Sequence, residues 1–343
     1  MSRAYKKSDY KRFTDAAYML EFFRSHKMRL FPRAYRVVSA TADYQRGLAA
    51  ESYLTRYRVN IIQKNGLEVD IKLRGNRTSI QTYKVWRYLW QTFGVAHYTV
   101  PKPIYFFPEA NFVLYAKFLG RTLRDFPQVG RERELHFKCV VALSAKKIAA
   151  LHGMHARYLH QRTKAEEHAS LRKLARKVRE VRTRDARRLE RAMETLEELM
   201  DAYVLNSRQF WTYVHGDFQP SNVIYNRNTQ NVGIIDFATF QYFHPAHDIA
   251  NFMLQLEMLL TSYAEELLPK NYPKKFLYSY LAECAPDVRQ EIKRVLPVFL
   301  MRSALDMAVI RLTSPYYKQH GDPRKRLEKL FGIVAEQKVK LKA

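Results

Sequence analysis

Cysteine is scarce in this sequence. Cys139 and Cys284 are the two present among 343 residues, and two cysteines exclude the disulfide framework that stabilises small secreted domains. Both lie in apolar stretches with a helical pattern, so we expect buried, reduced side chains. The scarcity favours a reducing compartment, and we predict a cytoplasmic protein.

Long apolar runs are also missing. No stretch of about 18 uncharged apolar residues occurs, so the sequence predicts no membrane-spanning helix. The start, MSRAYKKSDYKRF, is basic and is not followed by the apolar segment of a secretory signal. Few Gly and Pro (11 and 13) leave little room for low-complexity linkers, and a hydrophobic content of 47% predicts a folded protein.

Acidic residues are few relative to basic ones. The chain has 33 Asp and Glu against 59 Lys and Arg, a formal net charge of +26. This excess predicts attraction to anions such as nucleic acid, anionic lipid or a phosphorylated substrate. The alternative is that the charge only keeps the protein soluble. The basic stretch 156–191 is a candidate nucleic-acid contact surface, but a solvated helix face is the simpler interpretation.

The chain divides by pattern into three parts. Residues 1–31 predict a helical extension. Residues 32–118 contain runs rich in β-branched and aromatic residues, with Asn65-Gly66 as a hairpin turn and one helix over about 79–93. From residue 119 to 343 the apolar spacing is mostly helical, with charged helices over about 156–204. We therefore predict an α+β fold, a small antiparallel sheet followed by a mostly helical part.

One segment concentrates residues with chemical potential. YVHGDFQPSNVIYN covers 213–226, and IIDFA follows from residue 234. Two β-rich runs, NVIY and VGIIDF, predict a hairpin with Asn222 at the entry of one strand and Asp236, in the segment 232–238, at the exit of the other. Their oxygens suit Mg²⁺, which also binds phosphate. Asp217 precedes Asn222 by five residues and is suited to take a proton from a hydroxyl group, so the pattern predicts phosphoryl transfer.

These motifs resemble those of one group of enzymes. HGDFQPSN, followed by IIDF and HPAHDIA, is similar to the aminoglycoside phosphotransferase and choline kinase family. The resemblance extends over about residues 32–310. It implies a two-lobed, protein-kinase-like fold with an antiparallel-sheet N-lobe that binds a nucleotide and a helical C-lobe. It also implies transfer of the γ-phosphoryl group of ATP, with Mg²⁺, to a hydroxyl of a small molecule.

The resemblance gives roles to residues of the catalytic segment. Asp217 resembles the catalytic base, and Asn222 and Asp236 resemble the two magnesium ligands. His215 and Asp248 are similar to residues that support the catalytic loop without taking part in the chemistry.

A second set of residues resembles the family's nucleotide-binding part. Lys72, in VDIKLRG, is similar to the strand lysine that holds the α- and β-phosphates. FVLYAKFLGRTL resembles the hinge, which implies that backbone groups of Ala116, Lys117 and Phe118 receive the adenine ring.

The same part departs from the family pattern at three places. Asp70 stands where the family usually has a small residue above the adenine. The helix after Lys72 has no Glu to pair with that lysine; Gln81 or Thr82 stands near the expected position, and Glu51 is another candidate. The loop ATADYQRGLAAES contains a single glycine, so it predicts no glycine-rich phosphate clamp. The last two departures support a second hypothesis, a kinase-like binding or regulatory protein with little or no turnover.

The acceptor molecule stays open. Glu257, Glu265 and Glu266 follow Asp248 and are candidates for contact with a cationic acceptor, an amino alcohol or an aminoglycoside. The DIANFM run is similar to choline-kinase-like members, whereas the positive charge favours a sugar phosphate, a lipid-linked glycan or another anionic acceptor.

Histidines near the motif offer further candidates. His244 and His247 are three residues apart, but a zinc site needs more ligands than this region supplies. His152 and His155 end a predicted helix, where a histidine interacts favourably with the helix dipole.

Overall fold

The computed structural model describes residues 7–46, 53–94, 99–125, 131–154, 163–180, 186–260, 271–313 and 323–340. The chain forms two compact units. The first comprises Met1–Gly120 with Gly233–Ala238, and the second comprises Arg121–Val232 with Thr239–Ala343.

The first unit is built on a five-stranded antiparallel sheet with strand order β1-β2-β3-β5-β4. Its elements are a 3₁₀ helix (Lys7–Thr14), α1 (Ala16–Ser25), α2 (Lys27–Leu30), β1 (Ala34–Arg46), β2 (Tyr53–Gln63), β3 (Glu68–Arg77), α3 (Ile80–Leu89), β4 (Pro103–Phe107) and β5 (Phe112–Ala116). The predicted hairpin turn joins β2 to β3, with Gly66 at a φ of 82°. That conformation suits glycine, so this prediction is confirmed.

One face of this sheet carries the aromatic core. Tyr57 and Val59 on β2 are 3% and 0% exposed, while the intervening positions of the strand face the other way. The N-terminal helices cover this face: the Phe13 ring stacks on Phe112 at 4.3 Å between centroids, and Phe23 packs edge-on to Tyr57. Residues that precede the sheet therefore complete its core.

A glycine permits the closest packing inside this core. A Cβ at Gly75 on β3 would overlap the ring of Phe112 on the neighbouring strand β5. The register of β3 and β5 therefore requires glycine at this position.

The second unit is mostly helical. Its helices are α4 (Arg131–His152), α5 (Lys164–Glu180), α6 (Ala186–Tyr203), α7 (Ala246–Leu260), α8 (Tyr272–Ala282), α9 (Pro286–Thr313) and α10 (Pro323–Lys340). Its short strands are β6 (Arg121–Thr122), β7 (Thr212–Val214), β8 (Val223–Asn226), β9 (Asn231–Ile234) and β10 (Gln241–Phe243). They form the sheets β6-β8-β9 and β10-β7, and the predicted hairpin corresponds to β8 and β9. Across the described ranges, no helix has the length and apolarity needed to cross a bilayer.

The charged helix α5 is joined to α9 by a buried ion pair. Arg302 Nε on α9 donates to Glu167 Oε1 on α5 at 2.7 Å, and the two side chains are 6% and 0% exposed. Arg302 also donates to Asp306 at 3.2 Å. The charged segment thus has an inward face fixed to the helical core as well as an outward one.

The expected burial of both cysteines is wrong. Cys139 is exposed on α4 and Cys284 is partly buried, with its thiol donating to the carbonyl oxygen of Tyr280 at 3.4 Å. On α4, Phe137 and Val140 face inward, and Cys139 lies between them on the outer side of the helix.

Candidate active site

The loop after β7 carries His215, Gly216 and Asp217. Gly216 has a φ of 82°, and a Cβ at this position would overlap the carbonyl oxygen of Thr239. The Thr239 hydroxyl donates to the carbonyl oxygen of His215 at 3.1 Å. Only glycine therefore fits between His215 and Asp217 in this loop.

Asp248, in the first turn of α7, holds this loop by its backbone. Its carboxylate accepts hydrogen bonds from the N–H groups of His215 at 2.6 Å and Gly216 at 2.9 Å. The side chain is 0% exposed. Burial by itself raises the pKa of the Asp248 carboxyl, but the hydrogen bond and charge of His152 outweigh it and hold the pKa below its ordinary value. Asp248 therefore supports the loop as an anion.

His152, the last residue of α4, is the partner of Asp248. Its Nε2 lies 3.1 Å from Asp248 Oδ2, and its Nδ1 lies 2.7 Å from the Tyr280 hydroxyl. Its carbonyl oxygen accepts a hydrogen bond from Thr212 on β7. Beyond its helix-terminal position, the sequence gives no signal that His152 joins three elements at this point. His155 lies outside the described residues.

His247 adds a second contact to the loop. Its Nε2 donates to the carbonyl oxygen of Gly216 at 3.1 Å, and Arg302 donates to its Nδ1 at 3.4 Å. His244 uses its Nδ1 to accept from the N–H of Ala246, and its Nε2 lies 3.8 Å from Glu291. These histidines fix the start of α7.

The Asp217 carboxylate is oriented by two amides. Its Oδ2 accepts from Gln219 Nε2 at 2.8 Å and from Asn222 Nδ2 at 3.1 Å. Asn222 also donates to the carbonyl oxygen of Asp217 at 2.9 Å. Two of the predicted site residues are thus brought together, and Gln219 is an additional one that sequence reasoning missed, although it stands inside the motif.

Asp236 lies in the other compact unit, in the segment that follows β9. Its φ of 68° is left-handed, a conformation uncommon for a residue other than glycine and concentrated at functional positions. Burial, together with the charge of Asp236, raises the pKa of Tyr115 to about 12. The Asp236 carboxylate therefore acts electrostatically on the end of β5.

The side chain of Asn222 has a defined orientation. Asn222 turns its Nδ2 towards Asp217, which directs its amide oxygen away from that residue. No group of three or more His, Cys, Asp or Glu that could hold a metal ion occurs in the part of the chain that is described. Amide and carboxylate oxygens, the donor types that Asn222 and Asp236 carry, are among those that Mg²⁺ binds together with phosphate and water.

Lys72 lies on β3, on the face of the sheet opposite the aromatic core. Its side chain is exposed and lines a cavity of about 410 Å³ with Arg56, Arg58 and Lys117. Lys72 makes no ion pair with any residue in the described ranges. Thr82 is occupied in the N-terminal cap of α3, where its N–H donates to Ser79 at 3.0 Å. Glu51 lies outside the described residues.

The predicted hinge begins at the end of β5. The N–H of Ala116 donates to the carbonyl oxygen of Lys102 at 2.9 Å, and the N–H of Lys117 donates to that of Lys72 at 3.0 Å. Both groups are therefore used by the protein itself. Phe118 packs its ring over Gly233, where a Cβ would overlap it.

The predicted acceptor contacts are only partly described. Glu257 on α7 forms an ion pair with Lys329 on α10 at 3.0 Å, and both side chains are partly exposed. Glu265 and Glu266 lie outside the described residues.

Comparison with known families gives one match. The profile of the phosphotransferase enzyme family matches residues 94–274, more than half of the chain and the whole catalytic segment. A comparison with curated protein sequences gives no match.

Solved structures with a similar fold include small-molecule kinases. A choline kinase from Cryptosporidium parvum Iowa II superposes with a TM-score of 0.63 at 14% identity, over 95% of this chain and 96% of that one. An ethanolamine kinase from Plasmodium vivax gives 0.55 at 15% identity, over 86% and 81%. An ADP-bound aminoglycoside phosphotransferase gives 0.50 at 14% identity, over 92% and 97%.

These comparisons bear on the fold and the class of enzyme. The predicted two-lobed, kinase-like α+β fold is confirmed by the similar structures. The predicted phosphotransferase class is confirmed by the family match, while the roles of individual residues stay predictions. On the strength of that match over residues 94–274, the chain belongs to the phosphotransferase enzyme family.

Proposed function

We propose that this protein transfers the γ-phosphoryl group of ATP to a hydroxyl group of a small molecule, in a magnesium-dependent reaction. The observation that carries the proposal is the arrangement of Asp217. Its carboxylate is oriented by Gln219 and Asn222, and its loop is anchored to Asp248. A fixed carboxylate at the end of a short loop is suited to receive a proton from a hydroxyl group.

The proposed reaction is an in-line displacement. The hydroxyl oxygen of the acceptor forms a bond to the γ-phosphorus, and the bond from that phosphorus to the bridging oxygen of ADP breaks. Asp217 takes the hydroxyl proton or orients the hydroxyl group. Asn222 and Asp236 would hold Mg²⁺ through their side-chain oxygens, and the ion would neutralise phosphate charge when bound.

The nucleotide is proposed to bind to the first unit. Lys72 contacts phosphate oxygens, and the base meets the chain at Phe118 and the carbonyl groups near it. The N–H groups of Ala116 and Lys117 already donate within the sheet, so we leave them out of this contact. ADP bound to a phosphotransferase of similar fold supports adenine nucleotide use.

The acceptor is proposed to be an amino alcohol, an aminoglycoside or a sugar-type molecule. Two proteins of similar fold are a choline kinase and an ethanolamine kinase, which supports an amino alcohol as the acceptor. The net charge of +26 supports an anionic acceptor such as a phosphorylated sugar. A cytoplasmic location and contacts with anionic lipid or nucleic acid stay predictions from the sequence.

The deciding experiment measures ADP release from Mg·ATP by the parent and by Asp217→Asn. The panel contains choline, ethanolamine, aminoglycosides, and free and phosphorylated sugars. We expect turnover with one acceptor class and a loss of at least about a hundredfold in Asp217→Asn, with Mg·ATP affinity retained. Equal rates in the two proteins would remove Asp217 from the mechanism. Asp236→Ala is expected to weaken magnesium-dependent ATP binding, and unchanged affinity would contradict its role as a ligand.

A second candidate function is nucleotide-dependent binding without turnover. It is favoured by one observation, that Lys72 has no acidic partner among the described residues. Tight Mg·ATP binding with no ADP release for any acceptor, and identical behaviour of Asp217→Asn, would support this alternative.

A further inference from the structure

Cationic side chains are concentrated on one face of the β1–β5 sheet. Arg56 and Arg58 alternate along β2 with the buried Tyr57 and Val59, so both point away from the aromatic core. They line the 410 Å³ cavity together with Lys72, Lys117, Thr41 and Asp43. The whole cavity lies within the first compact unit.

The register of β2 and β3 places like charges opposite each other. Arg56 is opposite Arg74, and Arg58 is opposite Lys72. Directly opposed like charges destabilise a sheet. Lys117 adds a further charge: burial, followed by the charges of Arg74, Lys72 and Arg56, lowers the pKa of its ammonium group. The folded protein therefore carries a repulsive cluster on this face.

Acidic side chains balance this cluster only in part. Asp43 is opposite Arg56 on β1. Asp70 Oδ2 lies 4.0 Å from Arg58 Nε, and with side chains 48% and 63% exposed this pair contributes little. The charge of Asp236 contributes to the raised pKa of Tyr115, and Tyr115 is the residue of β5 opposite Arg74. Lys72 and Lys117 have no such counterpart in the described ranges. Local arrangements that oppose folding are typical of functional sites, and this one suits an anionic ligand.

We propose that Arg56 and Arg58 are phosphate-binding residues for the nucleotide, acting side by side with Lys72 and Lys117. A guanidinium group matches phosphate oxygens in a bidentate geometry and keeps its charge at all physiological pH values. The sequence before β2 contains a single glycine. The guanidinium groups of Arg56 and Arg58 therefore supply the phosphate contacts that the backbone of a glycine-rich loop otherwise makes. This inference rests on the proposed nucleotide-dependent function and adds two side chains to it.

The test compares three ligands on the double variant Arg56→Ala/Arg58→Ala. Affinities for ATP, tripolyphosphate and adenosine are measured by calorimetry on the full chain. We expect ATP and tripolyphosphate to bind at least about tenfold more weakly, because charge-assisted hydrogen bonds are lost, and adenosine to change less than about threefold. We expect Arg56→Lys/Arg58→Lys to retain part of the ATP affinity, since lysine keeps the positive charge but lacks the bidentate guanidinium geometry.

The matched control is Arg36→Ala/Lys64→Ala. It removes two positive charges from exposed positions at the same sheet that do not line the cavity. We expect its ATP affinity to stay within about twofold of the parent, because only long-range attraction is reduced. An equal loss in the control and the arginine variant would show a general charge effect and overturn the proposal.

Thermal unfolding supplies a readout that is independent of catalysis. Without ligand, Arg56→Ala/Arg58→Ala is expected to unfold at the same or a higher temperature than the parent, since two repulsive pairs are removed. At one fixed concentration, added tripolyphosphate should raise the unfolding temperature of the parent by more than that of the variant. A variant with the parent's ligand response would overturn the proposal.

The outcomes separate this inference from the proposed function. ATP binding and turnover in the parent, with unchanged ATP affinity in Arg56→Ala/Arg58→Ala, would overturn the phosphate contacts alone. A parent that binds tripolyphosphate but not ATP would overturn nucleotide use and retain the anion site. A parent that binds neither would overturn both.

Discussion

The carboxylate of Asp248 accepts a hydrogen bond from the backbone N–H of His215 at 2.6 Å, across 33 positions of sequence. A single side chain of the helical unit thus fixes the loop that carries Asp217. The contact is buried and charge-assisted, a combination that makes hydrogen bonds strong. The position of the candidate catalytic carboxylate therefore depends on a residue that need not touch any substrate.

Asp248→Asn tests this dependence. The amide keeps one acceptor oxygen but turns an NH₂ group towards a backbone N–H, so one hydrogen bond is replaced by a repulsive contact. We expect kcat to fall by about a hundredfold while KM for ATP changes less than about threefold, together with a loss of stability of about 1–3 kcal/mol. Steady-state kinetics and urea unfolding measure the two effects. A change confined to KM would contradict a positioning role.

Gly216→Ala tests the backbone of the same loop. The substitution adds a Cβ in a left-handed conformation and against the carbonyl oxygen of Thr239. We expect destabilisation of at least about 2 kcal/mol in urea unfolding. The matched control is Gly332→Ala on α10, where a Cβ meets nothing within 4 Å and stability should stay equal or rise by up to about 1 kcal/mol. Equal effects at the two positions would refute the steric requirement at Gly216.

The acid stability of the helical unit is expected to depend on Glu291. Burial raises the pKa of its carboxyl, but the neighbouring His244 and a bidentate contact with Arg294 lower it from 4.5 to about 2. Because the folded pKa is below the unfolded one, the stabilisation is complete above 4.5 and is lost as pH falls towards 2. Urea midpoints of the parent and of Glu291→Gln should differ most above that range and converge below it. A difference independent of pH would contradict this assignment.

The buried ion pair between Glu167 and Arg302 is expected to be sensitive to loss of one partner. Glu167→Gln leaves the Arg302 charge inside the protein, and we expect a loss of about 3–5 kcal/mol in urea unfolding. Glu328→Gln serves as the control, since the Arg188–Glu328 pair is 50% and 60% exposed. Its removal should change stability by less than about 1 kcal/mol. Comparable losses for the two variants would mean that burial does not decide the effect.

The sequence predicted those features that depend on local pattern. Asn65-Gly66 between β-rich runs predicted the β2–β3 hairpin, and the spacing of Asp217 and Asn222 predicted that they act together. The residues TRYRV of β2 alternate between the two faces of the sheet. Because a known turn fixes which residues of two strands are opposed, the like-charge pairs between β2 and β3 also follow from the sequence. That consequence becomes plain once the register is known.

Features that depend on tertiary contacts were not predictable. The His152–Asp248 contact joins residues 96 positions apart, and no periodicity relates them. The exposure of Cys139 depends on which face of α4 its neighbours cover, and a mixed apolar stretch leaves that face undetermined. Gln219 was within reach, since it stands two residues after Asp217 inside the motif.

The aromatic cover of the sheet has a consequence during synthesis on the ribosome. Phe13 and Phe23 emerge before any strand of β1–β5, whereas Phe13 stacks on Phe112 in the folded protein. About 100 residues must follow before that contact forms, which takes roughly 5–20 s at typical elongation rates. Throughout that interval Phe13 lacks its stacking partner Phe112 and is available to solvent or to a chaperone. Slow translation of β1–β5 should therefore raise the aggregated fraction of newly made chains.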